Sequence, residues 1–270
     1  MSDKDFNNFL NFKTLAIIQF VIIGSLIFAL CLIATKKTKK IETVKVVKSV
    51  PIVSEYFPCK KGNTENKNIL FLGNSITMHP IVSIWWGKWG MAASKRENDY
   101  VHVLSKKLSE KYNTYSTIVL FRDWEFMSHD RAETFDLLEP ALTKKYDYIV
   151  VQLGENVDNK SSIKKDYDEL IGFLKEKYPL AEIFVVGEYW KGKYIDTAKK
   201  ETCKKFNVNY IDLKEMQTGL YDIKLNALVG GDDGEMHKIE STGVAKHPGD
   251  AGMEYIADKI YSSLIGQESK

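Results

Sequence analysis

Asn68-Ile69-Leu70-Phe71-Leu72, followed at once by Gly73-Asn74-Ser75-Ile76-Thr77, is the stretch on which the fold turns. A short apolar run closed by glycine and small polar residues reads as a buried strand that ends in a tight turn leading toward a helix. Outward from it the same grammar repeats. A helix is expected from about Glu97 to Tyr112, a second strand at Tyr115 to Phe121, and a third at Asp147 to Leu153 (DYIVVQL). A fourth strand falls at Ile183 to Val186 and a fifth at Val208 to Leu213, with helices near 161–177 and 194–205 between them and a closing helix from about Ala251 to Leu264. Strands alternating with helix-length amphipathic stretches predict a parallel sheet covered on both faces, because each parallel crossover needs a dozen or more residues and is usually helical. The expected fold class is therefore α/β, in three layers.

In such sheets ligands bind beyond the carboxyl ends of the strands, so the residues that follow each strand are where chemistry is sought. After the first strand Ser75 sits in a glycine-preceded turn that would project its hydroxyl into the crevice, near backbone N–H groups. After the third comes Gly154-Glu155-Asn156, where the Asn156 amide could donate to a developing oxyanion and Gly154 lets backbone approach a substrate. Directly before the closing helix stands His247-Pro248-Gly249-Asp250; the proline biases the histidine toward an extended conformation and leaves its imidazole free to reach back over the sheet. A neutral imidazole near Ser75 would take the hydroxyl proton during attack and return it to the leaving group.

Composition narrows the partners. The 38 basic and 36 acidic residues are spread along most of the chain, for a formal charge of +2, so no long-range field attracts nucleic acid. The three cysteines, Cys31, Cys59 and Cys203, form no metal-ligand spacing, and whether Cys59 and Cys203 pair depends on a distance the sequence does not give. The loop Trp85-Trp86-Gly87-Lys88-Trp89-Gly90 is dense in aromatic residues whose faces suit sugar rings, although the same residues can simply pack the core. Trp86, Trp89, Gly90 and Arg122 are the expected substrate contacts, Tyr189-Trp190 stands at the same end of the sheet, and His79 is the histidine nearest the nucleophile in sequence.

GNSIT at 73–77, GEN at 154–156 and HPGDAG at 247–252 together resemble the SGNH/GDSL hydrolase family, over roughly residues 66–266. The resemblance implies a flavodoxin-like sheet, Ser75 as nucleophile, Asn156 as an oxyanion donor and His247 as general base. It implies ester cleavage, or acyl transfer to a surface glycan, for which serine, histidine and backbone donors need no metal or organic cofactor. The tryptophan faces favour a small acyl group, such as O-acetyl, on a carbohydrate, and the alternative is a non-catalytic glycan-binding protein on the same fold. Two departures stand out. Where the family usually carries an aspartate three residues before the histidine this chain has Val244, which points to a Ser-His dyad oriented by a backbone carbonyl, a water or another carboxylate, with Asp233 and Glu240 as candidates. Asp250 is expected to cap the last helix instead. Where the family has an oxyanion glycine after the second strand this chain reads Phe121-Arg122-Asp123-Trp124-Glu125, leaving the backbone N–H of Arg122 or Asp123, or Gly90, as the second donor.

Ahead of this domain, Leu15 to Thr35 is a run of about 21 residues without a formal charge, which matches the roughly 20 needed to cross a bilayer. Residues 1–14 read as a tail, 15–35 as a single-pass anchor, and 36–65 as a stalk with one short extended piece. Lys36, Lys37, Lys39 and Lys40 after the span would, by the positive-inside rule, hold the domain in the cytoplasm, whereas the family resemblance favours the outer side, which is the expectation adopted.

Overall fold

The structure is a computed structural model that describes residues 50–127, 129–191 and 193–268. The predicted anchor at 15–35 lies outside the described residues, among which no helix is long and apolar enough to cross a membrane.

Six strands form one sheet: β1 (Ile52–Phe57), β2 (Asn66–Gly73), β3 (Asn113–Leu120), β4 (Tyr148–Gln152), β5 (Glu182–Val186) and β6 (Asn209–Ile211), in the order β1-β3-β2-β4-β5-β6. All neighbours are parallel except β1, which lies antiparallel on the edge against β3. Without that edge strand the order is the flavodoxin-like one, whose direction of winding reverses beside β2 and opens a crevice there. β1 falls inside the stretch read as a stalk, so the folded unit starts earlier than residue 66, and the described residues belong to one compact body.

The helices are α1 (Tyr100–Leu108), α2 (Arg122–Phe126), α3 (Ile163–Lys177), α4 (Lys193–Phe206) and α5 (Asp250–Glu268). Alternation along β2 divides the core in two. Ile69 and Phe71 point to one face, where they pack with Tyr100, Leu104, Met253, Ile256 and Ile260 of α1 and α5. Leu70 and Leu72 point to the other, with Tyr167, Leu170 and Ile171 of α3 and Ile195 of α4. Strand segments buried on both faces read as continuous apolar runs, which is what residues 69–72 of β2 and 148–151 of β4 are. A small hairpin, β7 (Leu228–Gly230) with β8 (Met236–Lys238), was not foreseen, since three-residue strands leave no periodicity to read. Cys59 and Cys203 are both free thiols, Cys203 buried on the core side of α4.

Register places the site. Gly73 lies opposite both Leu120 of β3 and Gln152 of β4, so the chain segments carrying Ser75, Arg122 and Asn156 leave the sheet side by side.

Candidate active site

The turn that carries Ser75 is built by its neighbours. The Asn74 side chain accepts from Ile76 N–H at 3.0 Å and the Asn74 carbonyl accepts from Thr77 and Met78, which closes the chain sharply after the strand. Thr77 folds back so far that its hydroxyl would lie 1.8 Å from a Cβ on residue 73, so Gly73 is required by close approach. The Thr77 hydroxyl donates to Gln152 at the end of β4 and meets Tyr100 OH at 2.7 Å, locking the turn to the sheet and to α1. Among the described residues nothing accepts from the backbone N–H of Ser75.

Ser75 Oγ lies 2.9 Å from His247 Nε2. His247 closes a 3-10 turn over Val244–Lys246 and has the extended backbone that Pro248 favours, φ −84° and ψ 157°. Its carbonyl accepts from Ile223 N–H, and Gly249 N–H donates to Tyr221, which ties the loop to the segment before the hairpin. Its Nδ1 sits 3.0 Å from the Gly243 carbonyl, and that contact assigns the proton to Nδ1 and leaves Nε2 as the base facing Ser75. The orienter is therefore a backbone carbonyl. Asp233 is engaged with His237 instead, and Asp250 accepts from Ser94 N–H, Ser94 Oγ and Asn98, fastening the 94–98 loop to α5 rather than capping the helix it begins. Burial pushes the His247 pKa down to about 4, against the Gly243 carbonyl, which favours the protonated ring. Trp190 stands edge-on over the imidazole at 5.1 Å and is held by its indole N–H on the Lys246 carbonyl, so it is part of the cover.

Asn156 is held from beneath by Glu125, a residue without a motif of its own. Glu125 Oε2 accepts one Asn156 amide N–H at 2.7 Å, while Oε1 accepts from Gly154 N–H and from Asn74 Nδ2. A carboxamide has two N–H groups, so the second is left for the cavity that Asn156 lines. Asn74 Nδ2 also donates to Glu155 at 2.7 Å, and Glu155 in turn accepts from Tyr189 N–H. One buried network thus joins the nucleophile turn to the GEN loop. Burial, and then the charge of Glu155, push the Glu125 pKa up, against the bonds from Asn156, Asn74 and Gly154. Gly154 has φ +130°, a left-handed conformation that favours glycine, and a Cβ there would crowd Tyr167 and Ile195.

The site opens into a cavity of about 620 Å³ walled by Ser75, His79, Ile84, Met91, Arg122, Phe126, Asn156, Trp190, Gly243, Val244, Lys246 and His247. Ser75, Asn156, His247 and Arg122 are thus brought together as expected, and His79 and Trp190 join them. Trp86, Trp89 and Gly90 are not among the walls. Trp89 is buried edge-to-face on Trp85, Trp86 stacks flat on His237 at 4.4 Å, and the Gly90 N–H is taken by Asp99. The tryptophan loop packs the core, and Gly90 is removed as the second oxyanion donor. Phe121 N–H donates to the Gly73 carbonyl at 2.7 Å, which holds the chain entering Arg122 against the strand end that leads to Ser75.

No family model matches the chain, and no curated protein matches it. Solved structures do. The chain is similar to a GDSL-like lipase from Bacteroides uniformis ATCC 8492, at 18% identity and a TM-score of 0.48 over 74% of this chain and 96% of that one. It is similar to a two-domain esterase active on acetylated mannans, at 18% identity and a TM-score of 0.49 over 77% of this chain and 50% of that one. A family two carbohydrate esterase from Clostridium thermocellum, solved in complex with cellohexaose, is similar at 15% identity and a TM-score of 0.46 over 79% of this chain and 66% of that one. At these identities and scores they place no residue of this chain, and Ser75, His247 and Asn156 stand on their own geometry.

Proposed function

We propose that the chain is a serine esterase that removes small acyl groups, O-acetyl foremost, from a carbohydrate or glycoconjugate through an acyl-serine intermediate. The observation that carries this reading is the 2.9 Å approach of Ser75 Oγ to a neutral, buried His247 Nε2 in the wall of a cavity that an asparagine amide also lines. Ser75 Oγ bonds to the ester carbonyl carbon as its proton passes to Nε2, and the carbonyl oxygen takes up the negative charge. That oxyanion faces the free N–H of Asn156, with the backbone N–H groups of Ser75 and Arg122 as further donors. Collapse expels the alcohol, which takes the proton from Nε2. Water then repeats the sequence on the acyl-serine and releases the acid. Among the described residues no carboxylate bonds the imidazolium that forms in each step, and the Gly243 carbonyl serves in its place. Trp190 is the aromatic wall against which a sugar ring can rest. On the same reading Leu15 to Thr35 is a single-pass anchor that holds the domain on the outer side of the membrane.

The test is acetate release from an acetylated xylan by the full chain in mild detergent. The wild-type chain is expected to turn over, and Ser75→Ala to fall by at least ~10³-fold. A Ser75→Ala chain with undiminished rate ends the reading.

A further inference from the structure

The chain has three arginines, Arg96, Arg122 and Arg131. Arg96 is paired with Glu55 and Arg131 with Asp166. The Arg122 side chain, half-buried at the cavity, makes no ion pair or hydrogen bond among the described residues, and neither does the side chain of Lys246, an exposed residue of the same wall. Among the described residues of the wall none is Asp or Glu. The nearest buried carboxylate in sequence, Glu125, is engaged by Asn74, Gly154 and Asn156. Burial pushes the His79 pKa down against the Pro80 carbonyl, and the charge of Arg122 pushes it the same way, which places that charge beside a second wall residue. A guanidinium taken partly out of water gains most from a planar anion that it can grip with two N–H groups, and a low-dielectric cavity strengthens that grip.

We propose that this cavity takes an ester whose sugar or acyl part carries a carboxylate or a phosphate, and that Arg122 is the residue that selects it, with Lys246 in support. The inference rests on the esterase reading for the place of the ester, and on the unpaired cations for its charge. Arg122 lies two residues beyond Leu120, the register partner of Gly73, and shares the cavity wall with Ser75, so an anion held there lies in the same cavity as the nucleophile.

Binding separates this from the chemistry. The full chain carrying Ser75→Ala, in detergent, is titrated calorimetrically with trigalacturonate, with the neutral methyl ester of the same trisaccharide, and with galactose 6-phosphate against galactose. At least one anionic sugar is expected to bind ~10-fold or more tightly than its neutral counterpart, and which one does so distinguishes carboxylate from phosphate. The advantage is expected to shrink as salt is raised, to fall below ~3-fold with Arg122→Gln, and to return in part with Arg122→Lys. Equal binding of charged and neutral sugars, no binding of any of them, or an advantage that survives Arg122→Gln in a folded chain would each overturn the proposal. Fluorophosphonate labelling of the wild-type chain is run beside it. Labelling without anion preference removes the selectivity alone, and anion preference without labelling removes the esterase reading alone.

Discussion

The sharpest consequence of a histidine oriented by a carbonyl and covered by an indole is its behaviour in acid. His247 is 8% exposed and has its pKa pushed down to about 4, from an ordinary 6.5. That difference corresponds to about 3 kcal/mol against the imidazolium. At pH 5 about nine-tenths of His247 would be the neutral base, whereas only about one-thirtieth of an unperturbed histidine would be. The rate kcat/KM for 4-nitrophenyl acetate, followed from pH 3.5 to 8 with circular dichroism to confirm folding, is expected to hold down to pH 5 and to fall only near pH 4. The perturbation that tests the cause is Trp190→Ala, which removes the ring 5.1 Å above the imidazole and lets water reach it. Because burial is the dominant cause, the acidic limb is expected to move up by about one pH unit or more in that variant. A wild-type limb at pH 6.5 to 7, or one that does not move in Trp190→Ala, would refute the reasoning. The same shift has a stability sign: the unfolded chain binds a proton at this residue that the folded chain refuses, so acidification from pH 6.5 toward 4 weakens the fold.

Other outcomes follow from the network around the site. Glu125→Ala leaves Gly154 N–H and the inner N–H of Asn156 without their acceptor, and is expected to lower stability by about 2–5 kcal/mol in chemical denaturation. Glu125→Gln restores an acceptor for Gly154 but sets an NH2 against the Asn156 amide; stability should largely return while kcat stays down by ~10²-fold, a split that a merely structural residue would not show. His102 bonds Asp99 at 2.7 Å and Glu55 at 3.0 Å; burial alone would lower its pKa, but these partners raise it to about 9. Its folded pKa lies above the unfolded 6.5, so its contribution is complete below pH 6.5 and is lost as pH rises through 9. Urea midpoints are expected to drop between pH 6.5 and 10 by the equivalent of about 2–3 kcal/mol, and His102→Gln should remove that part of the slope.

How far the sequence could be read depends on where each feature keeps its information. Ser75, Asn156 and His247 were legible because each sits just past a strand or before a helix, where side-chain identity and position both carry meaning. The central strands β2 and β4 were legible because a strand segment buried on both faces is apolar, as Ile69 to Leu72 and Ile149 to Val151 are. The orienter of His247 was only one of several alternatives, since a backbone carbonyl such as that of Gly243 leaves no residue type to recognise. Glu125 was missed because it lies 29 residues before Gly154, whose N–H it accepts, on a helix of five residues too short to show a face. The tryptophan loop misled for the opposite reason: aromatic density records a large apolar surface but not its direction, and Trp85 and Trp89 bury theirs in the core. β1 was legible only as a short extended piece of a stalk, because an edge strand is paired on one side only and its half-exposed pattern between Pro51 and Pro58 resembles a linker.

The central claim is that Ser75 and His247 act as one acyl-transferring unit, and the most direct measurement is covalent labelling of the full chain with a fluorophosphonate, the labelled peptide located by mass spectrometry. The adduct is expected on Ser75 in the wild type, at least ~10²-fold slower in His247→Ala, and absent in Ser75→Ala. A folded wild-type chain that takes up no label, or one labelled equally fast without His247, would contradict it.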